Sequence, residues 1–158
     1  MHKTLLVVSL LTSFNVVAEN YDSPTNGAIN EGVTQSNITT TVCVSGYTKT
    51  IRPPTSYTNR VKKELLLTNP DKNMTHYELD HIIPLAVGGH PTNVNNLWAQ
   101  PRYGEWNAGR KDVLESFVHR ELCKGKLTLQ ESRNIFIDNW VDGYKKYIKR
   151  NIKLEHVD

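Results

Sequence analysis

Two adjacent side chains, Asp80 and His81, are the pair in this sequence best suited to act on a phosphate ester. Hydrolysing a phosphodiester needs a base for the attacking water and a cation for the charge that builds on the phosphate and leaving oxygen. Asp80 is a hard oxygen ligand matched to magnesium or manganese, and an imidazole such as that of His81, with an ordinary pKa of about 6.5, accepts a proton near neutrality. Neighbours on a strand point to opposite faces, so the two can share a site only where the strand bends or ends. Pro84 and the Gly88-Gly89 pair, a few residues on, supply that irregularity.

Further polar residues follow in a fixed order. After Glu78-Leu79-Asp80-His81-Ile82-Ile83-Pro84-Leu85 and Gly88-Gly89 come Asn95-Asn96-Leu97-Trp98 and then Asn107-Ala108-Gly109-Arg110-Lys111-Asp112. Singly, each has an ordinary explanation: Asp-His as a turn pair, Asn96 as a hairpin residue, Asn107 as a helix N-cap, Lys111 as a solvent-facing cation. Their joint order is informative. It resembles the HNH endonuclease superfamily, the ββα-metal nucleases, in its motif from Glu78 to Glu115 and more loosely from Cys43 to Tyr147, where the layout is similar to small exported bacterial HNH proteins.

That resemblance implies roles. Asp80 and Asn107 would hold the metal, His81 would be the general base, and Asn96 would hold the loop and orient the base. Asparagine at the third motif position, often histidine, favours Mg²⁺, with Mn²⁺, Ni²⁺ or Zn²⁺ as alternatives. Lys111, one helical turn beyond Asn107, and Arg110 are candidates for binding phosphate. The implied protein is a monomeric endonuclease cleaving DNA, double-stranded, with little sequence preference. The alternative is a catalytically inactive nucleic-acid-binding or periplasmic interaction domain.

The elements that must position these groups predict an α+β fold. Leu79 to Leu85 is strand-like, Gly88-Gly89 marks a turn region, and Asn96 to Ala99 begins the return strand, giving a hairpin. A helix from about Asn107 to Leu122 puts Val113, Leu114, Phe117, Val118 and Leu122 on one face, and Gly125 stops it. An N-terminal helix, capped by Ser56 or Thr58 and running to about Leu67, braces the hairpin with Val61, Leu65 and Leu66; Asn69-Pro70-Asp71 ends it. A C-terminal amphipathic helix opens with the Thr128 and Glu131 capping box and turns Ile137, Trp140, Tyr144 and Tyr147 or Ile148 inward. Lys145, Lys146, Lys149, Arg150 and Lys153 stay outside, as solvated charges or phosphate contacts. Trp98, Trp106 and Tyr103 cover the small core. His76 and His90 are expected at the surface, and His119, beside Arg120, exposed.

Composition frames this as one exported domain. The 158 residues, 38% hydrophobic and 22% charged, describe an ordinary globular chain. Residues 1–18, with Lys3, an apolar stretch from Thr4 to Val17 and Ala18 at the end, have a signal peptide's layout, with cleavage expected after Ala18 and a periplasmic or secreted destination. The remainder keeps 18 basic residues against 16 acidic ones, too even a balance to announce a polyanionic partner. Residues 19–41, rich in Asn, Thr, Ser and Gly, read as a flexible leader, and residues 42–158 as the folded domain, starting with a short strand around Cys43. In an oxidising compartment Cys43 and Cys123 are expected to pair.

Overall fold

The computed structural model describes Pro24 and residues 26–149; the expected signal peptide lies outside them. Its architecture is α+β. Four α-helices, α1 (Tyr47–Ile51), α2 (Thr55–Leu65), α3 (Ala108–Cys123) and α4 (Leu129–Tyr144), surround a two-stranded sheet of β1 (Tyr77–His81) and β2 (Leu97–Pro101). The strands pair antiparallel from Tyr77 opposite Pro101 to His81 opposite Leu97. Asp80 and Glu78 therefore share a face with Trp98 and Gln100. α2 packs on the sheet, and α3 lies against α4.

Between the strands, residues 82–96 form a long loop rather than a tight hairpin. Pro84 leads a 3-10 turn, Leu85–Val87, that closes on Gly88 with φ of 79°, a left-handed conformation glycine adopts without strain. At Gly89 the constraint is space, since a Cβ there would stand 1.8 Å from the Ile83 carbonyl oxygen. Asn96 closes the loop. Its Oδ1 accepts from Ile83 N at 2.8 Å, and its Nδ2 donates to the carbonyls of Ile83 (3.0 Å) and His90 (2.9 Å). The side chain is fully buried, so those bonds face no competition from water.

Asn107 caps α3, and Ala108, Lys111, Leu114, Val118 and Leu122 form its buried stripe. Val113, expected inside, is 49% exposed, because it falls one position outside that stripe. Leu114, Val118 and Leu122 meet Phe136 and Trp140 of α4 in the core, each such side chain contributing roughly 1.5–3 kcal/mol on burial. In α4 the capping box of Thr128 and Glu131 is formed as expected. The helix then kinks at Asn139, whose Oδ1 accepts from Val141 N at 2.9 Å and restarts the winding. The inner face accordingly contains Phe136 and Trp140, with Ile137 only half-buried. Beyond Tyr144 the chain continues as one π-helical turn, Lys145–Lys149.

Several expectations need correction. The chain is packed well before Val42: Ile29 bridges Gly89, Asn30 N donates to Gly88 O at 2.9 Å, and Val33 is buried. A few apolar residues anchored on the loop backbone and on the Arg133 guanidinium, which donates to Val33 O at 2.9 Å, outweigh the polar composition of this stretch. No strand forms around Cys43; the segment turns on itself through Cys43 N to Ile38 O at 2.9 Å. Pro54, not Ser56 or Thr58, precedes α2, and Leu65 is exposed while Leu66 is buried. Cys43 and Cys123 do form a disulfide, with Cα atoms 5.5 Å apart. None of the described helices is long and apolar enough to cross a membrane.

Candidate active site

β1 ends at His81, and that ending lets Asp80 and His81 reach one cavity although strand geometry aims them to opposite faces. The cavity holds about 280 Å³ and is walled by α1, the loop after β1 and one side of α3. Its chemically active lining is Arg52, Asp80, His81, Asp112, Glu115 and His119. A larger groove, about 470 Å³, follows the kink of α4, but no histidine lines it.

Lys111 organises the carboxylates. Its Nζ, on a side chain 1% exposed, donates to Asp80 Oδ2 at 2.7 Å, to the His81 carbonyl at 2.8 Å and to Glu115 Oε1. Burial pulls its pKa down, but Asp80 and Glu115 outweigh that and hold it above the usual lysine range, so it is a permanent cation. Carboxylates still outnumber it. Burial raises Glu115 to about 7, with Lys111 opposing and Asp80 adding to the rise. Asp112 is raised by burial and then by Asp80, and Glu78 by burial, Asp80 and Asp112. Crowded acids of this kind favour a further cation beside them.

The two imidazoles are fixed through the same nitrogen. His81 Nε2 lies 3.0 Å from the Pro91 carbonyl and His119 Nε2 lies 2.8 Å from that of Val42. A carbonyl only accepts, so both rings carry a proton on Nε2, and in the neutral form each keeps Nδ1 as its lone-pair atom. Burial depresses the His81 pKa, with the Pro91 bond and Asp80 opposing and Arg52 and Lys111 adding to the fall. His81 is therefore neutral, and able to take a proton, at neutral pH.

Sequence reasoning named Asp80, His81 and Asn96, and the structure brings Asp80 and His81 to the cavity while Asn96 ties the loop behind them. Asn107 does not line the cavity. Its Oδ1 accepts from Arg110 N at 3.2 Å and its Nδ2 donates to Gly104 O at 2.9 Å, so both ends of the amide serve the start of α3. Lys111 is no phosphate contact, because three protein acceptors surround its ammonium. Arg110 stands over Trp106 and Tyr144, beside Glu105 at 3.8 Å, outside the cavity lining. His119, expected exposed, is half-buried and lines the cavity, and His90 shapes the loop by accepting from Asn93 N at 2.9 Å. His76 is at the surface as expected, and Trp106 belongs to the core, whereas Tyr103 is 53% exposed. Missed from the sequence were Arg52, Asp112, Glu115 and His119; the last three recur at helical spacing from Asp112, one side of α3, which was the available signal.

Oxygen donors on Asp80, Asp112 and Glu115 are chemically suited to Mg²⁺ or Mn²⁺, but no three ligand atoms of Asp80, Asp112, Glu115 and His119 lie within 4.8 Å of one another. Asp80 and Glu115 each commit one carboxylate oxygen to Lys111, which leaves the other for a cation. The one grouping of that closeness among the described residues is Cys43, His119 and Cys123, but in the disulfide the sulfurs offer no thiolate. Comparisons with protein-family models, curated proteins and solved structures find no match to this chain.

Proposed function

We propose that this cavity is the active site of a metal-dependent phosphodiesterase of the HNH type, an endonuclease acting on DNA, with β1, β2 and α3 as its ββα-metal core. One observation carries the reading: His81, a buried histidine whose neutral ring keeps Nδ1 as its acceptor, lines the same cavity as three carboxylates. His81 takes the proton of a water whose oxygen attacks phosphorus, the P–O bond to the leaving oxygen breaks, and that oxygen is protonated from solvent. The divalent ion would be drawn to the carboxylates of Asp80, Asp112 and Glu115, which would have to close around it, since no three ligand atoms among them and His119 lie within 4.8 Å of one another. When bound, it supplies Lewis-acid stabilisation of the charge on the phosphate and leaving oxygen. Arg52, on the cavity wall, would clamp the scissile phosphate, the role expected of Lys111. Asn96 holds the loop that presents the Pro91 carbonyl to His81 and so keeps the base in its tautomer.

Export to the periplasm or beyond is part of the same proposal, supported by the Cys43–Cys123 disulfide, which persists in oxidising compartments. A second reading is favoured by one feature: Lys111 already neutralises part of the carboxylate charge, as suits a nucleic-acid-binding domain without turnover. A divalent-metal panel on plasmid DNA and on RNA, with a chelator control and Asp80→Asn beside the native protein, separates the two. Metal-dependent nicking lost in the variant supports the nuclease; DNA binding without cleavage under any metal supports the alternative.

A further inference from the structure

Along α3, Arg110, Val113, Phe117, Arg120 and Lys124 recur at intervals of three and four residues, a single stripe of the helix. It runs directly beside the row of Asp112, Ser116 and His119 that lines the cavity. A shallow groove of about 350 Å³, walled by Val113, Phe117, Arg120 and Ile148, shares Asp112 and Ser116 with the cavity and so lies beside it. The stripe is apolar in the middle and cationic at both ends.

At the N-terminal end, Arg110, Lys145 and Lys149 gather over the Trp106 ring at 5.4, 5.3 and 4.9 Å, with Glu105 and Asp142 as their acidic partners. At the C-terminal end, Arg120, Lys124 and Lys126 share the single carboxylate of Glu121 at 3.6, 3.9 and 3.3 Å. Surface pairs of this sort contribute about 0–1 kcal/mol each, so incoming phosphates can replace them at little cost. Val113 is 49% exposed, and the Phe117 ring leans on Tyr147 at 5.8 Å beneath the Arg120 guanidinium. From Arg110 to Lys124 the helix rises about 21 Å at 1.5 Å per residue. That length matches the axial rise of roughly six base pairs of duplex.

We infer that this stripe of α3 is the docking rail for the DNA backbone, with phosphates held at Arg110 and at Arg120 and Lys124 while the strand crosses Phe117 past the mouth of the cavity. The inference rests on the phosphodiesterase reading and adds the surface that delivers the substrate.

The test is binding of a short fluorescent DNA duplex, in chelator, by the full protein, by R110Q/R120Q/K124Q and by a control of equal charge change on α2 and the segment after it, R60Q/K63Q/K72Q. Thermal midpoints establish that all three are folded. The rail predicts that its variant weakens binding by about tenfold or more and lowers the slope of log affinity against log salt by about 2 to 3, the control moving neither. Equal losses in both variants, or none in the rail variant, would overturn it. Failure of the nuclease reading looks different: the native protein would bind the duplex with the full slope and leave plasmid uncut with every metal.

Discussion

The ammonium of Lys111 lies 2.7 Å from Asp80 Oδ2 and fastens the end of β1 to the first turns of α3. Without it, two partly buried carboxylates would be left beside each other with no cation between them. Lys111→Met should therefore destabilise the fold by about 3–5 kcal/mol, the usual result of stripping one partner from a buried ionic cluster. Urea unfolding midpoints read this. Neutralising the acids as well, in Asp80→Asn/Glu115→Gln/Lys111→Met, should recover part of the loss.

Asn96 holds both ends of the loop through three buried bonds. Asn96→Ala should cost on the order of 2–4 kcal/mol, since the Ile83 and His90 groups would be left buried and unpaired. Asn96→Asp should be no milder, because it retains the acceptor for Ile83 N but turns a carboxylate towards two carbonyls. Thermal midpoints check both.

His119 depends on the disulfide. Its Nε2–H bonds to the carbonyl of Val42, next to Cys43, and Cys43 is tied to the end of α3. Cys43→Ser/Cys123→Ser should lower stability by up to about 4 kcal/mol through the loop of 80 residues. It should also lower activity further than the unfolded fraction explains, by loosening His119. Activity measured well below the variant's own melting temperature distinguishes the two effects.

Away from the cavity, Asp71 is held below its ordinary value of 3.8 by its hydrogen bond to His76 and then by that from Asn73 N. A depressed carboxyl pKa means stabilisation that is complete above the unfolded value and vanishes as pH falls through the folded one. Asp71→Asn should melt below the native protein near neutrality, and the two should converge as the pH falls below 3.8.

How much of this was legible follows from helix phase and from distance along the chain. Asp80, His81 and Asn96 could be named because a strand end and a loop anchor leave local signatures. Asn107 and Lys111 were misplaced by the same error, reading α3 from its capping residue outward. The stripe of Ala108, Lys111, Leu114, Val118 and Leu122 puts the lysine inside, and with it Glu115 one turn on. A Lys–Glu pair set among apolar positions was the available clue. Nothing local marks the reach of Ile29 and Val33 onto the loop, or of Arg52 to the cavity, since those contacts join distant segments. Nor does apolar spacing reveal that Asn139 breaks α4 by capping its own second half.

Cleavage of supercoiled plasmid in Mg²⁺ or Mn²⁺ by the native protein and by His81→Ala, each with and without added imidazole, tests the base most directly. The expected result is nicking by the native protein, a fall of roughly 10²- to 10⁴-fold in the variant, measured well below the variant's own melting temperature, and partial recovery when free imidazole fills the vacated space. A variant that cuts as fast as the native protein, or a native protein that leaves the plasmid intact in both metals, would contradict it.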